Sequence, residues 1–300
     1  MARKSFMKQY LLFCLAFFIL TASFAQTNPI KVLVVVAHPD DEAAMSVTIY
    51  KITHQLGGTV DEAVITNGEA GYKYSLLAES IYNIKLTDEK SGRENLPRIR
   101  KQELMNAGKI IGIRNFYFFD QKDAHYGLDE HEPLDTSWDV TWVQQRLKEI
   151  ITTNKYDYIF CLLPESATHG GHKAATMLTL KTVAALKTDK PIVLSVSGSS
   201  KTDTTQKAFT QLKDYAFTRI SIGKPSFFID KTVSFGYNNK LNYKIIENWE
   251  IAEHKSQGTM QTFMNMGDYE NYWYYDINDP AQFNKTKLFF DNLNSLIPGK

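Results

Sequence analysis

The chain has almost no cysteine. Cys14 and Cys161 are the only thiols among 300 residues, and Cys14 lies in an N-terminal leader. No disulfide framework can therefore form within one mature chain, and the fold must rest on its core. An excess of charge is also missing: 34 Lys and Arg stand against 33 Asp and Glu, with no basic block. That balance excludes a nucleic-acid binder working through a positive footprint. Long hydrophobic runs are absent too. The leader's apolar stretch, Leu11 to Leu20, falls short of the ~20 residues a membrane span needs. It follows Arg3, Lys4 and Lys8 and precedes the small-residue pattern Ser23-Phe24-Ala25. Residues 1–25 are therefore expected to be a signal peptide, and the mature chain to be exported, periplasmic or secreted. Leu11, Leu12 and Phe13 are too bulky to precede a lipoprotein cleavage site at Cys14. No repeat, low-complexity tract or linker divides residues 26–300, which suffice for one domain with a sizeable core.

What is present is an alternation of apolar strands and amphipathic helices. Strands are expected at 31–37, 60–66, 115–119, 156–163 and 191–196, and helices at 41–55, 97–111, 138–154 and 172–186. This is the pattern of an α/β, Rossmann-like single domain with a mostly parallel sheet flanked by helices. Beyond Gly198 the pattern weakens: helices are expected at 208–215, 244–264 and 285–296, with short strands between 219 and 235. The polar stretches 71–95 and 120–136 are long for loops of a compact domain, and such loops often wall a binding site.

Two clusters carry chemistry. The first, "AHPDDE", runs His38, Pro39, Asp40, Asp41, Glu42 straight off the apolar residues Val34, Val35, Val36 and Ala37. Acids in a first helical turn are favoured by the unpaired N–H groups and the helix dipole. That does not explain His38, nor three adjacent carboxylates with no cation before Lys51. A divalent cation would relieve their repulsion. The second cluster, "LLPESATHGGHKAA", places His169 and His172 around Gly170-Gly171, again after an apolar strand and before a helix. Loops at the carboxyl ends of such strands converge on one crevice, so His38, Asp41, His169 and His172 can meet. Two His and one Asp around an open position make a catalytic zinc site. The metal acidifies a water and polarises a carbonyl, and one acid remains beside it as a general base.

At these residues the chain resembles the PIG-L/LmbE-like family of zinc-dependent N-acetylglucosaminyl deacetylases, which carries A-H-P-D-D-E after its first strand and a later H-x-x-H. "ITNGEAG" (Ile65 to Gly71), "RKQELMNAGKIIGI" (Arg100 to Ile113) and "HKSQ" (His254 to Gln257) are similar to further family elements in the same order. The resemblance implies an LmbE-like fold and a domain over 26–300. It implies His38, Asp41 and His172 as zinc ligands, Asp40 as the general base, and His169 as oxyanion stabiliser or proton donor. Arg100 matches a substrate-contacting arginine, and Asp123 in "FFDQKDAHYG" an acid that binds sugar hydroxyls. The family commonly reads H-P-D-H where this chain has H-G-G-H, so His169 lacks its neighbouring carboxylate; Glu165 is one stand-in.

The implied function is removal of the N-acetyl group from an N-acetylglucosamine-type sugar or glycoconjugate by metal-activated water. The substrate would be a small molecule or glycan, with no nucleic acid and no membrane beyond the leader. A zinc hydrolase for another N-acyl or ester substrate, and a carbohydrate-binding member without turnover, are the alternatives. Iron(II) and cobalt suit the same ligands. In "GDYENYWYYD" (Gly267 to Asp276), Trp273 and its tyrosines read either as a sugar-stacking platform or as an edge strand sharing aromatics between core and surface. His125 and His131 read as parts of a solvated acidic loop, and His54 as a surface residue near a helix end. His254 and Gln257, at i, i+3, read either as facing the crevice or as packing.

Overall fold

The computed structural model describes residues 29–298, so the signal peptide expected at residues 1–25 lies outside the described residues. One seven-stranded sheet organises the domain. It comprises β1 (Lys31–Val36), β2 (Thr59–Thr66), β3 (Ile113–Gln121), β4 (Tyr158–Leu162), β5 (Ile192–Ser199), β6 (Phe227–Asp230) and β7 (Tyr269–Tyr274). The spatial order is β3-β2-β1-β4-β5-β7-β6. The five strands β1 to β5 pair in parallel, and β7 runs antiparallel to both β5 and β6.

The unbroken apolar run of β1 follows from burial on both faces. Leu33, Val35 and Ala37 face one core, with α3 (Val140–Asn154) and α4 (Gly170–Ala184) packed over it. Val32, Val34 and Val36 face the other core, under α1 (Ser46–Tyr50), α2 (Glu89–Ile111), α5 (Lys244–Ile251) and α6 (Phe283–Ser295). Among the described residues no helix is long and apolar enough to cross a membrane.

Five expectations need correction. The helix expected to start at Pro97 starts at Glu89, because Asp88 caps it by accepting the Ser91 N–H at 2.9 Å. Pro97 then removes one bond inside the helix without ending it. The preceding stretch from Glu69 to Tyr82 is not an open loop but a series of short helical turns. The helix expected at 208–215 is absent, and that expected at 244–264 breaks after Ile251, resuming for one turn at Gly258–Gln261. "GDYENYWYYD" forms β7, an interior strand rather than an edge. Tyr272, Trp273 and Tyr275 are fully buried there, so Trp273 offers no stacking face to a ligand.

Candidate active site

The strand order reverses its winding between β1 and β4. In open α/β sheets ligands bind at that switch, outside the carboxyl ends of the strands. The chain leaving β1 carries His38 to Glu42, and the chain leaving β4 carries His169 to His172, so topology delivers both clusters to one crevice. His38 Nδ1 lies 3.0 Å from His172 Nε2, and the rings of His38 and His169 are 4.9 Å apart. Asp41 joins them. Its Oδ1 is 3.0 Å from His172 Nε2, and its Oδ2 is 3.4 Å from His38 Nδ1. Oδ2 also accepts the backbone N–H groups of Ala37 (3.1 Å) and His38 (2.8 Å), which fixes the carboxylate and leaves Oδ1 turned to the imidazoles.

This donor set fits a divalent metal. Ligands ~2.0–2.1 Å from a tetrahedral zinc stand about 3.4 Å apart; His172 Nε2 lies 3.0 Å both from His38 Nδ1 and from Asp41 Oδ1, whereas the Asp41 oxygen nearer His38 is Oδ2, and the three imidazoles of His38, His169 and His172 also lie close enough to share an ion. Outer partners aim the rings as metal-bound imidazoles are aimed. Thr168 Oγ1 is 3.1 Å from His172 Nδ1, and Asp123 Oδ1 is 3.8 Å from His38 Nε2. Burial alone would raise the Asp123 carboxyl, but His38 first, then Arg100 and His169, hold it down to about 2. Asp123 is thus a buried anion behind His38 rather than a group open to sugar hydroxyls.

Arg100 also departs from expectation. Its guanidinium is 3% exposed and reaches Asp40, with Nη2 2.8 Å from Oδ2. Nη1 donates to the Gly68 carbonyl at 2.6 Å. Gly68 has φ +66°, and a Cβ there would fall 2.2 Å from Arg100 Nη1. The glycine of "ITNGEAG" therefore exists for close approach as well as for its left-handed turn. "HKSQ" docks on the same helix: Ser256 donates to Glu103 through its N–H (2.8 Å) and Oγ (2.6 Å). His254 does not face the crevice. It is fully buried, with Nε2 2.8 Å from Glu42 Oε1 and 2.9 Å from Glu250 Oε1. It ties the segment after α5 to the turn that carries Asp40 and Asp41.

His169 caps α4. Its Nδ1 accepts the Gly171 N–H at 3.0 Å, which puts the proton of the neutral ring on Nε2. Burial first, then the neighbouring His38 and His172, lower its pKa to about 4. Glu165 is not the stand-in for the missing family carboxylate. It is engaged by Lys207 Nζ at 2.7 Å and by Ser197 Oγ at 3.2 Å, and the Gly171 backbone orients His169 instead. Gly170 is required because a Cβ would meet the Asp129 carbonyl at 2.1 Å. The acidic loop is pressed there by Lys173, which donates to Leu128 O (2.5 Å) and Glu130 Oε2 (3.0 Å). This docking carries Tyr126, 67% exposed, to 5.1 Å from the His169 ring. The sequence gives no periodic signal for that aromatic. His131 pairs with Asp135 on the surface, and neither it nor His125 belongs to a metal-capable cluster among the described residues.

The family described as PIG-L, GlcNAc-PI de-N-acetylase, matches residues 33–183, which carry His38, Asp40, Asp41, Arg100, Asp123, His169 and His172. The chain belongs to the PIG-L family. Two relatives bear the name "probable N-acetyl-alpha-D-glucosaminyl L-malate deacetylase 2". That of Bacillus cereus is 29% identical over 168 residues, 55% of this chain and 67% of its own length. That of Bacillus subtilis is 27% identical over 143 residues, covering 48% and 56%. This PIG-L chain thus spans between roughly half and two thirds of those relatives. Among solved structures, N,N'-diacetylchitobiose deacetylase from Pyrococcus horikoshii superposes with a TM-score of 0.50 at 19% identity, over 90% of this chain and 92% of that one. GalB, a 4-carboxy-2-hydroxymuconate hydratase from Pseudomonas putida, gives 0.53 at 14% identity, over 83% and 97%. Such likeness establishes the fold; a hydratase beside a deacetylase shows that the reaction is set by the site.

Proposed function

We propose that this PIG-L protein is an exported, zinc-dependent N-deacetylase hydrolysing the N-acyl amide of an N-acetylglucosamine-type sugar or glycoconjugate. His38, Asp41 and His172 would hold the metal, and Asp40 would be the general base. The observation that carries the reading is the convergence of these three donors, with the spare carboxylate of Asp40 beside them. Bound there, zinc would supply Lewis acidity, acidifying a water and polarising the acyl oxygen.

The chain's own groups divide the remaining work. Arg100 binds Asp40 through Oδ2, leaving Oδ1 to take the proton of the attacking water. Neutral His169 suits hydrogen bonding through Nε2–H to the developing oxyanion. As a neutral ring it is a poor acid for the leaving amine, so the proton collected by Asp40 goes to the amine as the C–N bond breaks. Orientation of His169 by the Gly171 N–H supports turnover despite the H-G-G-H departure.

Acetate release from N-acetylated amino sugars, lost with a chelator and regained with zinc, tests the reading. Asp40→Asn is expected to keep its metal and lose ~10²–10⁴-fold in rate; the parental rate in that variant would remove Asp40 from its role. Export rests on the leader alone. It predicts a mature N-terminus just after Ala25, and an intact Met1 in the native protein would contradict it.

A further inference from the structure

We propose that the acyl group this site removes is longer than acetyl: a fatty acyl chain, seated in an apolar pocket that opens directly off the metal donors. This deepens the N-deacetylase reading and rests on it. A cavity of about 490 Å³ begins at Asp40, Asp41 and His172. Pockets of ~300–1,000 Å³ bury drug-sized ligands, so this one far exceeds what an acetyl methyl fills. Its wall is built from Ala44, Leu162, Ile251, Met260, Phe263 and Met266.

Several of the polar side chains along that wall are engaged by the protein, while Glu247 Oε2 is buried without a partner. Lys231 is paired with Glu247 and also donates to the Met266 carbonyl. Asp203 accepts the Ser200 N–H at 2.7 Å, and Ser199 Oγ accepts from Asn271 Nδ2 at 2.7 Å. A sugar ring placed there would have to compete with these bonds for its hydroxyl partners. An alkyl chain needs none. Position points the same way. Because the pocket starts at Asp40, Asp41 and His172, a chain attached to the reacting carbonyl carbon enters it directly. An aglycone begins a whole sugar ring further on. Phe263 and Met266 are 47% and 55% exposed at the rim, an apolar surface that a chain would cover. The wall from Ile251 onward lies beyond residues 33–183, the stretch that the family match covers.

Amine release from N-acetyl-, N-butanoyl- and N-octanoylglucosamine, and from the octyl glycoside of N-acetylglucosamine, tests the assignment. Each buried methylene contributes about 0.8 kcal/mol, roughly fourfold. The octanoyl compound is therefore expected to exceed the acetyl compound in kcat/KM by at least about tenfold, chiefly through KM, and the octyl glycoside to gain nothing. In Phe263→Asp and Met266→Asp the octanoyl-to-acetyl ratio is expected to fall toward one. Equal or better turnover of the acetyl compound, a gain confined to the octyl glycoside, or a ratio unchanged in both variants would each overturn the acyl-chain assignment and spare the hydrolase reading. Release from none of the four compounds would overturn both.

Discussion

Asp40 is placed by residues distant in sequence, and Gly68 is the most exposed to test. Arg100 reaches Asp40 only because nothing projects from Gly68 into the guanidinium's path. Gly68→Ala combines a left-handed backbone strain with a contact of 2.2 Å to Arg100. If Asp40 is the general base proposed here, its displacement by about 1 Å can cost ~10²-fold, so kcat is expected to fall by that order while any bound metal is retained. A variant with parental kcat would show that Arg100 does not position Asp40. At this scale the meeting of His38, Asp41 and His172 in one crevice was legible because residue type and place, just past a buried strand, sufficed. The partners of Arg100, Asp123 and His254 were not. Each pairs across tens to hundreds of residues, and one sequence holds no record of such pairings.

Elements in this protein are often capped from elsewhere in the fold. α1 is five residues long and follows a 3₁₀ turn at Asp41–Met45. Its Val47 and Thr48 N–H groups, both at 2.9 Å, are accepted by Glu270 of β7, across the sheet. Burial raises the Glu270 carboxyl from its ordinary 4.5 to about 7. Between those values the folded chain holds a proton that the unfolded chain has released. This group's contribution to stability is therefore full below pH 4.5 and is lost as pH rises through about 7. Denaturant midpoints at pH 4.5 and 8 are expected to differ less in Glu270→Gln than in the parent; an identical difference would exclude the group. The same dependence on distant partners explains which elements could be read. Strands buried on both faces and helices with a clear apolar stripe stood out. α2 begins ahead of its apolar spacing because its first turns, "EKSGRENL", are polar, and the segment 208–215 has helical spacing but settles into turns against Thr218. Cys161 belongs wholly to an element: buried in β4, its thiol is pushed up to about 12 and takes no part in the site.

Across the whole molecule, the parallel half of the sheet carries chemistry and the antiparallel half shapes what reaches it. The segments that leave β1 and β4 hold the candidate metal donors, whereas β7, α5 and the turns after it wall the adjoining pocket. The parallel half was legible because alternating strand and helix patterns admit few arrangements, and the winding reversal then fixes where ligands bind. The second half follows no such rule, so neither its strand order nor the pocket it forms could be read in advance. The central claim is that the two chain segments leaving β1 and β4 grip one metal ion. Metal analysis of the purified parent, Asp40→Asn and His172→Ala, each after dialysis against zinc-free buffer, tests it most directly. The account predicts that parent and Asp40→Asn retain the same zinc, while His172→Ala has lost one equivalent per chain. Undiminished zinc in His172→Ala would contradict it.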